Sequence, residues 1–376
     1  MRFRDFHHFR SFMKVGILSL SSGYNFGGTL QSVALSKALT RLGHDVTMLD
    51  YWPVSSRKVA PWRGWGLSHP DRFERIRKRW AEIRHLRPFT EKYDAFKKRE
   101  LKWTNRCFDR QALDNEAAGL DAVVVGSDQV WNLRYHPDPN YYLAGLEAFK
   151  GLKISYAACC GNPAQGCPDW TGEALKDFDH VSVRNAFTAD WVKRCSVNAV
   201  SPSVVADPTL LVDDYPAGNL QLPGKYIAVY FIGMGSDEED RKAISKLRRR
   251  HGDLPVVCLM PTGISIRFRD CYDEILWNLD PFEWVEVIRR ATAVYTDSFH
   301  AILFSMRNRV PFLATYVEEV RAPRLMDLRD RFGLDSMIRQ ASDLGEEGTL
   351  PDWERIEQQF AEDRVASLRY LEGALG

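Results

Sequence analysis

The chain alternates short apolar runs with longer stretches whose apolar residues recur at helical spacing. KVGILSL (14–20) is such a run; the Gly-rich SSGYNFGGT follows, and LQSVALSKALTRLGH then places Leu30, Val33, Ala34, Leu35, Ala38, Leu39 and Leu42 at helical intervals. DVTMLDY comes directly after. Strand, loop, helix, strand is the unit of a parallel sheet, and its loop lies at the carboxyl end of the first strand, where such sheets bind ligands. Further strands are predicted at AVVVGS (122–127), KISYAA (153–158), HVSVR (180–184) and SVVADP (203–208).

Over 212–225 the composition turns to Asp, Pro and Gly, which marks a linker. A second series begins there: KYIAVYFIG, helical DEEDRKAISKLRRRHG, PVVCLMP, helical DPFEWVEVIRRA, AVYTDS, helical FHAILFSMRN and PFLATYV, ending at residue 317. DWERIEQQFAEDRVASLRYLEGAL reads as one long helix, a candidate to pack back across the first domain. The prediction is an α/β protein with two Rossmann-like domains facing a cleft, over 13–215 and 225–345, followed by a C-terminal helix over 351–374. An insert over 52–105 interrupts the rhythm of the first domain.

Length agrees with this division, since 376 residues exceed what one core of roughly 250 to 300 residues holds. At 45% hydrophobic and 27% charged the chain has a globular balance, which excludes a disordered or fibrous protein. A net charge of +1 gives no bulk preference for nucleic acid or membrane, so any basic surface is local. One such surface is predicted: residues 56–106 hold 16 Lys and Arg against 6 Asp and Glu, with aromatics interleaved. Either these aromatics dock on the domain, or the segment presents a basic, aromatic-lined face to an anionic acceptor or to lipid phosphates. No recognised RNA module is present, and no nucleic-acid partner is expected.

The seven cysteines (Cys107, Cys159, Cys160, Cys167, Cys195, Cys258 and Cys271) include no CxxC pair, and reduced thiols in a cytosol are the simplest reading. Cys159, Cys160 and Cys167 lack a fourth ligand at useful spacing, so no metal site is expected. MRFRDFHHFRSF has no apolar core and no small-residue cleavage site, unlike a secretory signal, and no run reaches the roughly 18 apolar residues of a membrane span. A cytoplasmic location, extending to the inner face of the membrane, is the expectation.

Four places carry candidate chemistry. Gly27 and Gly28 let backbone amides approach an anion at a helix start, although a steric need at the turn explains a Gly pair equally well. VVVGSDQVWN sets Ser127, Asp128, Gln129, Trp131 and Asn132 beyond a buried strand, on the cleft rim or as helix caps. Arg184 emerges from an apolar strand, suited to fork a carboxylate or phosphate or to make a structural ion pair. In YTDSFHAILFS, Thr296, Asp297 and Ser298 are good caps, so a helix is predicted from Phe299 with His300 in its first turn. Imidazole is the side chain whose charge changes near neutrality, and a bound anion at that helix end would poise it as a proton donor.

The ordered set of VGILSLSSGYNFGGTLQSVALSKALTRLGHDVTMLDY, VVVGSDQVWN, KISYAACCG, VSVRNAF, VADPTLLVD, PFEWVEVIRRATAVYTDSFHAILFSMRNRVPF and RAPRLMDLRDRFGL resembles the polysaccharide pyruvyl transferase family, from residue 14 to about residue 339. The resemblance implies a GT-B-like fold and transfer of the pyruvyl unit of phosphoenolpyruvate to two hydroxyls of one sugar as a ketal, with release of phosphate. It implies no cofactor and no metal, phosphoenolpyruvate being a co-substrate. His300 matches the family's active-site histidine, a general acid or proton relay, and Arg184 matches its donor-binding arginine. Some members carry Arg-Leu-His where this chain has Ser298, Phe299 and His300; Ser298 therefore stands at the donor side without the arginine, and Arg324 is the candidate replacement, with Arg321 and Arg267 behind it. Asn25, Gln31, Gln129 and Trp131, with Asp128 as a second candidate base, are expected to face the acceptor from the N-terminal domain, a glycan or glycan precursor either free or lipid-linked. Two other readings stay open: a GT-B glycosyltransferase using a nucleotide sugar, and a non-catalytic protein that holds anionic glycan or membrane through the basic insert.

Overall fold

The structure is a computed structural model describing residues 12–20, 23–53, 82–213, 215–232, 237–259, 271–317, 322–344 and 350–376. Its first sheet is built from β1 (Lys14–Leu18), β2 (Asp45–Met48), β3 (Ala122–Val125), β4 (Leu152–Ala158), β5 (His180–Val183) and β6 (Ser203–Val204). These six strands are all parallel, in the order β2-β1-β3-β4-β5-β6. Strand order reverses between β1 and β3, and the crevice beyond the carboxyl ends of such a pair is where an open sheet binds ligands. α1 (Phe26–Arg41) connects β1 to β2, with Asn25 capping it through a 3.0 Å bond from the Gly28 amide. α2 (Arg87–Glu100), α3 (Arg110–Ala117), α4 (Asp169–Lys176) and α5 (Ala186–Cys195) complete the first domain.

The second sheet contains β7 (Ile227–Tyr230), β8 (Val256–Leu259), β9 (Glu274–Leu276), β10 (Ala293–Thr296), β11 (Phe312–Tyr316) and β12 (Ile338–Gln340). All its pairs are parallel too, in the order β12-β11-β10-β7-β8-β9, so the reversal falls between β7 and β10. Its helices are α6 (Asp237–His251), α7 (Pro281–Arg290), α8 (Phe299–Arg307) and α9 (Ala322–Phe332). Two Rossmann-like sheets with their switch points on a shared cleft make the α/β architecture that the periodicity predicts and the GT-B-like fold that the resemblance implies. The short edge strands β9 and β12 were not expected from sequence, being only three residues each.

An apolar seam holds the two sheets together. Phe26 of α1 stacks on Trp284 of α7, ring centres 5.6 Å apart, and Tyr230 meets Trp284 edge-on at 5.1 Å. α2 (Arg87–Glu100), from the basic insert, buries Phe89, Tyr93 and Phe96 at helical spacing, and Phe96 packs edge-on against Phe282 with ring centres 4.9 Å apart. Lys92 on the same helix pairs with Glu283 at 2.5 Å and donates to the Asn278 carbonyl at 3.1 Å. The helix of the insert is therefore a strut between the domains, and its Phe89, Tyr93 and Phe96 face protein. Residues 54–81 of that insert lie outside the described residues.

α10 (Trp353–Leu375) crosses back to the first domain, where Ser367 Oγ accepts the Ala206 amide at 2.8 Å and Tyr370 donates to the Ser155 carbonyl at 3.0 Å. One expectation fails: Cys167 and Cys195 are joined by a disulfide between the approach to α4 and the end of α5, with Cα atoms 5.2 Å apart. Their separation of 28 positions carries no sequence signature of pairing. The other five cysteines are free thiols. No helix among the described residues is long and apolar enough to cross a membrane, and no group of metal-ligating side chains occurs among them.

Candidate active site

Five charged or titratable side chains meet where the switch points of the two sheets face each other. Asp128 follows β3, Arg184 follows β5 and Asp207 follows β6; His300 and Arg324 come from the first turns of α8 and α9. Each sits just beyond a strand or at a helix start, so several positive helix ends converge with them. Asp128 has a positive φ of 67°, a backbone region that aspartate enters more readily than most residues.

Arg184 joins the carboxylates: its Nη1 lies 3.0 Å from Asp207 Oδ2 and its Nη2 3.4 Å from Asp128 Oδ1. Arg324 approaches that same Asp128 oxygen from the other domain, Nη1 at 3.8 Å. The Phe299 ring lies beneath both guanidinium groups, 4.4 Å from Cζ of Arg184 and 5.9 Å from Cζ of Arg324. His300 reaches Asp207 Oδ2 with Nε2 at 3.5 Å. Its other face rests on the backbone of Gly27, where a Cβ would come within 2.1 Å of Nδ1. The glycine of the α1 turn is therefore a steric requirement of a histidine from the opposite domain.

Arg184, His300 and Arg324 are each only 5% exposed, so their charges act in a low-dielectric space. Burial alone would push the Asp128 carboxyl up, but Arg184, His300 and Arg324 outweigh it and hold it below the usual carboxylate range. Asp207 is likewise opposed by burial yet held well below that range by His300 and Arg184, with the Thr209 amide adding a hydrogen bond. Arg184 Nε has no hydrogen-bond partner among the described residues. An unanswered buried guanidinium N–H between helix starts is a position that an incoming anion would satisfy.

Beside this cluster a cavity of ≈ 310 Å³ opens, lined by Asn25, Gly28, Trp52, Asp128, Gln129, Tyr135, His136 and Tyr141 among others. Asn25 and Gln129 thus both line this cavity. With its amide oxygen turned toward Arg324, Gln129 accepts from the two terminal nitrogens at 3.1 and 3.2 Å. Gln31 and Trp131 are not there. Gln31 is fully enclosed, donating to Ser19 Oγ and the Gly28 carbonyl at 2.8 Å each and accepting the Ser127 amide at 2.9 Å. It braces the loop that carries Asp128 and cannot reach a ligand.

Trp131 is buried as well, its indole N–H on the Tyr141 carbonyl at 3.1 Å and its ring stacked on Tyr142 at 5.5 Å. The chain after Asp128 dives into the core instead of following the rim. Ser298 spends its hydroxyl on the α8 cap, accepting the Ala301 amide at 3.4 Å. Arg321 and Arg267 lie outside the described residues. Sequence reasoning missed Asp207, whose signal was its place after the apolar SVVA run, and Trp52, Tyr135 and His136, which carried none.

A family model described as polysaccharide pyruvyl transferase matches residues 25–319. No curated protein matches the sequence significantly. Among solved structures, UGT89C1 of Arabidopsis thaliana is similar over 96% of this chain and 94% of its own, at 13% identity and a TM-score of 0.49. A UDP-GlcNAc 2-epimerase from Methanocaldococcus jannaschii is similar over 93% of this chain and 100% of its own, at 11% identity and a TM-score of 0.45. The UDP-GlcNAc 2-epimerase of Neisseria meningitidis gives 96%, 93%, 8% and 0.46 for the same measures. Those likenesses are too distant to bear on activity. The family match instead spans both switch points, from the Asn25 cap of α1 through Asp128, Arg184 and Asp207 to His300, and the chain belongs to the polysaccharide pyruvyl transferase family.

Proposed function

We propose that this protein moves the pyruvyl unit of phosphoenolpyruvate onto two hydroxyls of one sugar in a glycan or glycan precursor, forming a ketal and releasing inorganic phosphate. The observation that carries this reading is the convergence of Arg184, Arg324 and His300 on helix starts in a nearly sealed space, with Arg184 Nε unanswered. A small donor bearing a carboxylate and a phosphate fits that pattern of donors. Its anionic groups are held by arginines and helix ends, so the reading assigns no resident cofactor.

The donor competes with Asp128 for both guanidinium groups. Drawing Arg184 and Arg324 toward phosphoenolpyruvate removes what depresses the Asp128 carboxyl, so donor binding turns Asp128 into a stronger base. His300 gives a proton to the methylene carbon, leaving carbon two electron-poor, and a sugar hydroxyl attacks there while its proton passes to Asp128. The bond from carbon two to the phosphate oxygen then breaks, both electrons leaving with phosphate, which takes up the proton from Asp128 and departs as hydrogen phosphate. Attack by the second hydroxyl closes the ketal, and its proton restores His300. One phosphoenolpyruvate and two hydroxyls thus yield one ketal and one phosphate. Asp207 stays ionised throughout and holds the imidazole between the domains.

The reading places the reaction on the cytoplasmic side, with the sugar either free or lipid-linked. Phosphate release from phosphoenolpyruvate in the presence of candidate glycans, together with calorimetric titration, tests it. Binding of phosphoenolpyruvate with glycan-dependent phosphate release is expected; tight binding of nucleotide sugars alone would overturn it.

A further inference from the structure

Trp52 is held more firmly than a half-buried indole at a loop requires. Its N–H donates to Asp50 Oδ1 at 2.5 Å, and the Arg106 guanidinium covers one face, Cζ 4.5 Å from the ring centre. Arg106 is itself tied to the second Asp50 oxygen at 2.9 Å. One carboxylate therefore fixes both the ring and the cation behind it. An aromatic plane pinned at its edge and backed on one side is a preorganised contact surface, ordered before anything binds.

Tyr135 shares the ≈ 310 Å³ cavity with Trp52 and keeps 45% of its surface exposed. The polar groups of the same cavity include Asn25, Asp128, Gln129 and His136. The His136 imidazole, half-buried, makes no side-chain hydrogen bond among the described residues, while its ring meets Tyr141 edge-on at 6.1 Å. Burial holds it below the ordinary histidine range despite Asp128 and Asp138 nearby. A cavity with two accessible aromatic rings and polar side chains on the same wall has the make-up of a carbohydrate subsite: ring faces for the C–H surface of a sugar, polar atoms for its hydroxyls. Asp128 belongs both to this cavity and to the charged cluster, so a sugar lying here presents its hydroxyls to the reacting centre.

We infer that the acceptor is a pyranose whose ring stacks on Trp52 and Tyr135, with its hydroxyls on Asp128, Gln129 and His136. The inference deepens the pyruvyl-transfer reading and rests on it for what the sugar is there to do. Sugar contact itself is measurable without turnover. Saturation-transfer NMR on the full chain, with the methyl glycosides of galactose, mannose, glucose and N-acetylglucosamine as probes, should give a signal for at least one of them. Trp52→Ala should weaken that signal by about fivefold or more, Trp52→Phe should restore most of it, and phosphoenolpyruvate binding should change by less than about twofold in either. Tyr135→Ala, an exposed position, repeats the test should Trp52→Ala fail to fold. An undiminished signal in both alanine variants, or none from any glycoside with the wild type, overturns the stacking site. If the wild type binds glycosides through Trp52 but does not bind phosphoenolpyruvate, the pyruvyl-transfer reading falls and the sugar site stands.

Discussion

His300 is positioned by two residues of the other domain, Gly27 beneath its ring and Asp207 at its Nε2. As the proton donor of the proposed reaction it should be the costliest single loss: His300→Ala is expected to lower turnover by about 100-fold or more, with phosphoenolpyruvate affinity changed far less, measured by phosphate release and calorimetry. Asp207 and Asp128 make a separate prediction about pH. Both carboxyls are depressed in the folded state, so their contribution to stability is complete above the unfolded carboxyl range, near about pH 4, and is lost as the pH falls below it. Wild-type urea midpoints should hold level down to about pH 5 and drop below about pH 4. Asp207→Asn should flatten that drop while costing about 3 kcal/mol or more at neutral pH, because it leaves Arg184 buried with less countercharge. Arg184 was legible because it directly follows an apolar strand, Asp128 because it lies in the turn just past one, and His300 because capping residues after one mark a helix start in front of it. Asp207 follows one too, but it precedes a proline and caps Thr209 at 3.0 Å, so its second oxygen, the one that matters here, left no trace in the pattern.

At the scale of elements, the sequence conveyed strands and helices well where periodicity was long, and faces poorly where one residue decides them. Trp131 looked like a rim residue because it closely follows a strand end, and Gln31 was expected to face the acceptor from the division of labour that the family resemblance implies. Gln31 points from α1 into the sheet instead, to satisfy the Ser127 amide. In the insert, Phe89, Tyr93 and Phe96 at four- and three-residue spacing form a buried stripe, the docked one of the two readings its basic charge left open. The first turn of α1 gives this scale its test. Gly27→Ala puts a methyl group within 2.1 Å of the imidazole and within 2.6 Å of its Cβ, so His300 must move. Phosphate release should fall by about 100-fold, as for loss of the histidine itself, while circular dichroism of the helices stays unchanged.

The site exists only when the whole molecule is assembled, since each domain supplies part of the charge and neither contains an acid, a base and both arginines. The strut carries this dependence. Reversing the Lys92–Glu283 pair in either partner should loosen the cleft and lower turnover several-fold, about 1 kcal/mol of coupling for a partly exposed pair, and the double exchange Lys92→Glu with Glu283→Lys should recover most of it. Small-angle scattering of the single variants should show a broader distribution of dimensions; a rate unchanged by either reversal would mean that the apolar seam alone fixes the cleft. The Ser367 contact extends the same dependence into the making of the protein. Asp207 sits next to an amide whose acceptor lies 161 positions further along the chain, so a growing polypeptide leaving the ribosome holds the acid and its arginine long before it holds what steadies them. Catalytic competence should therefore arrive late and abruptly during synthesis, and half-made copies should be inert.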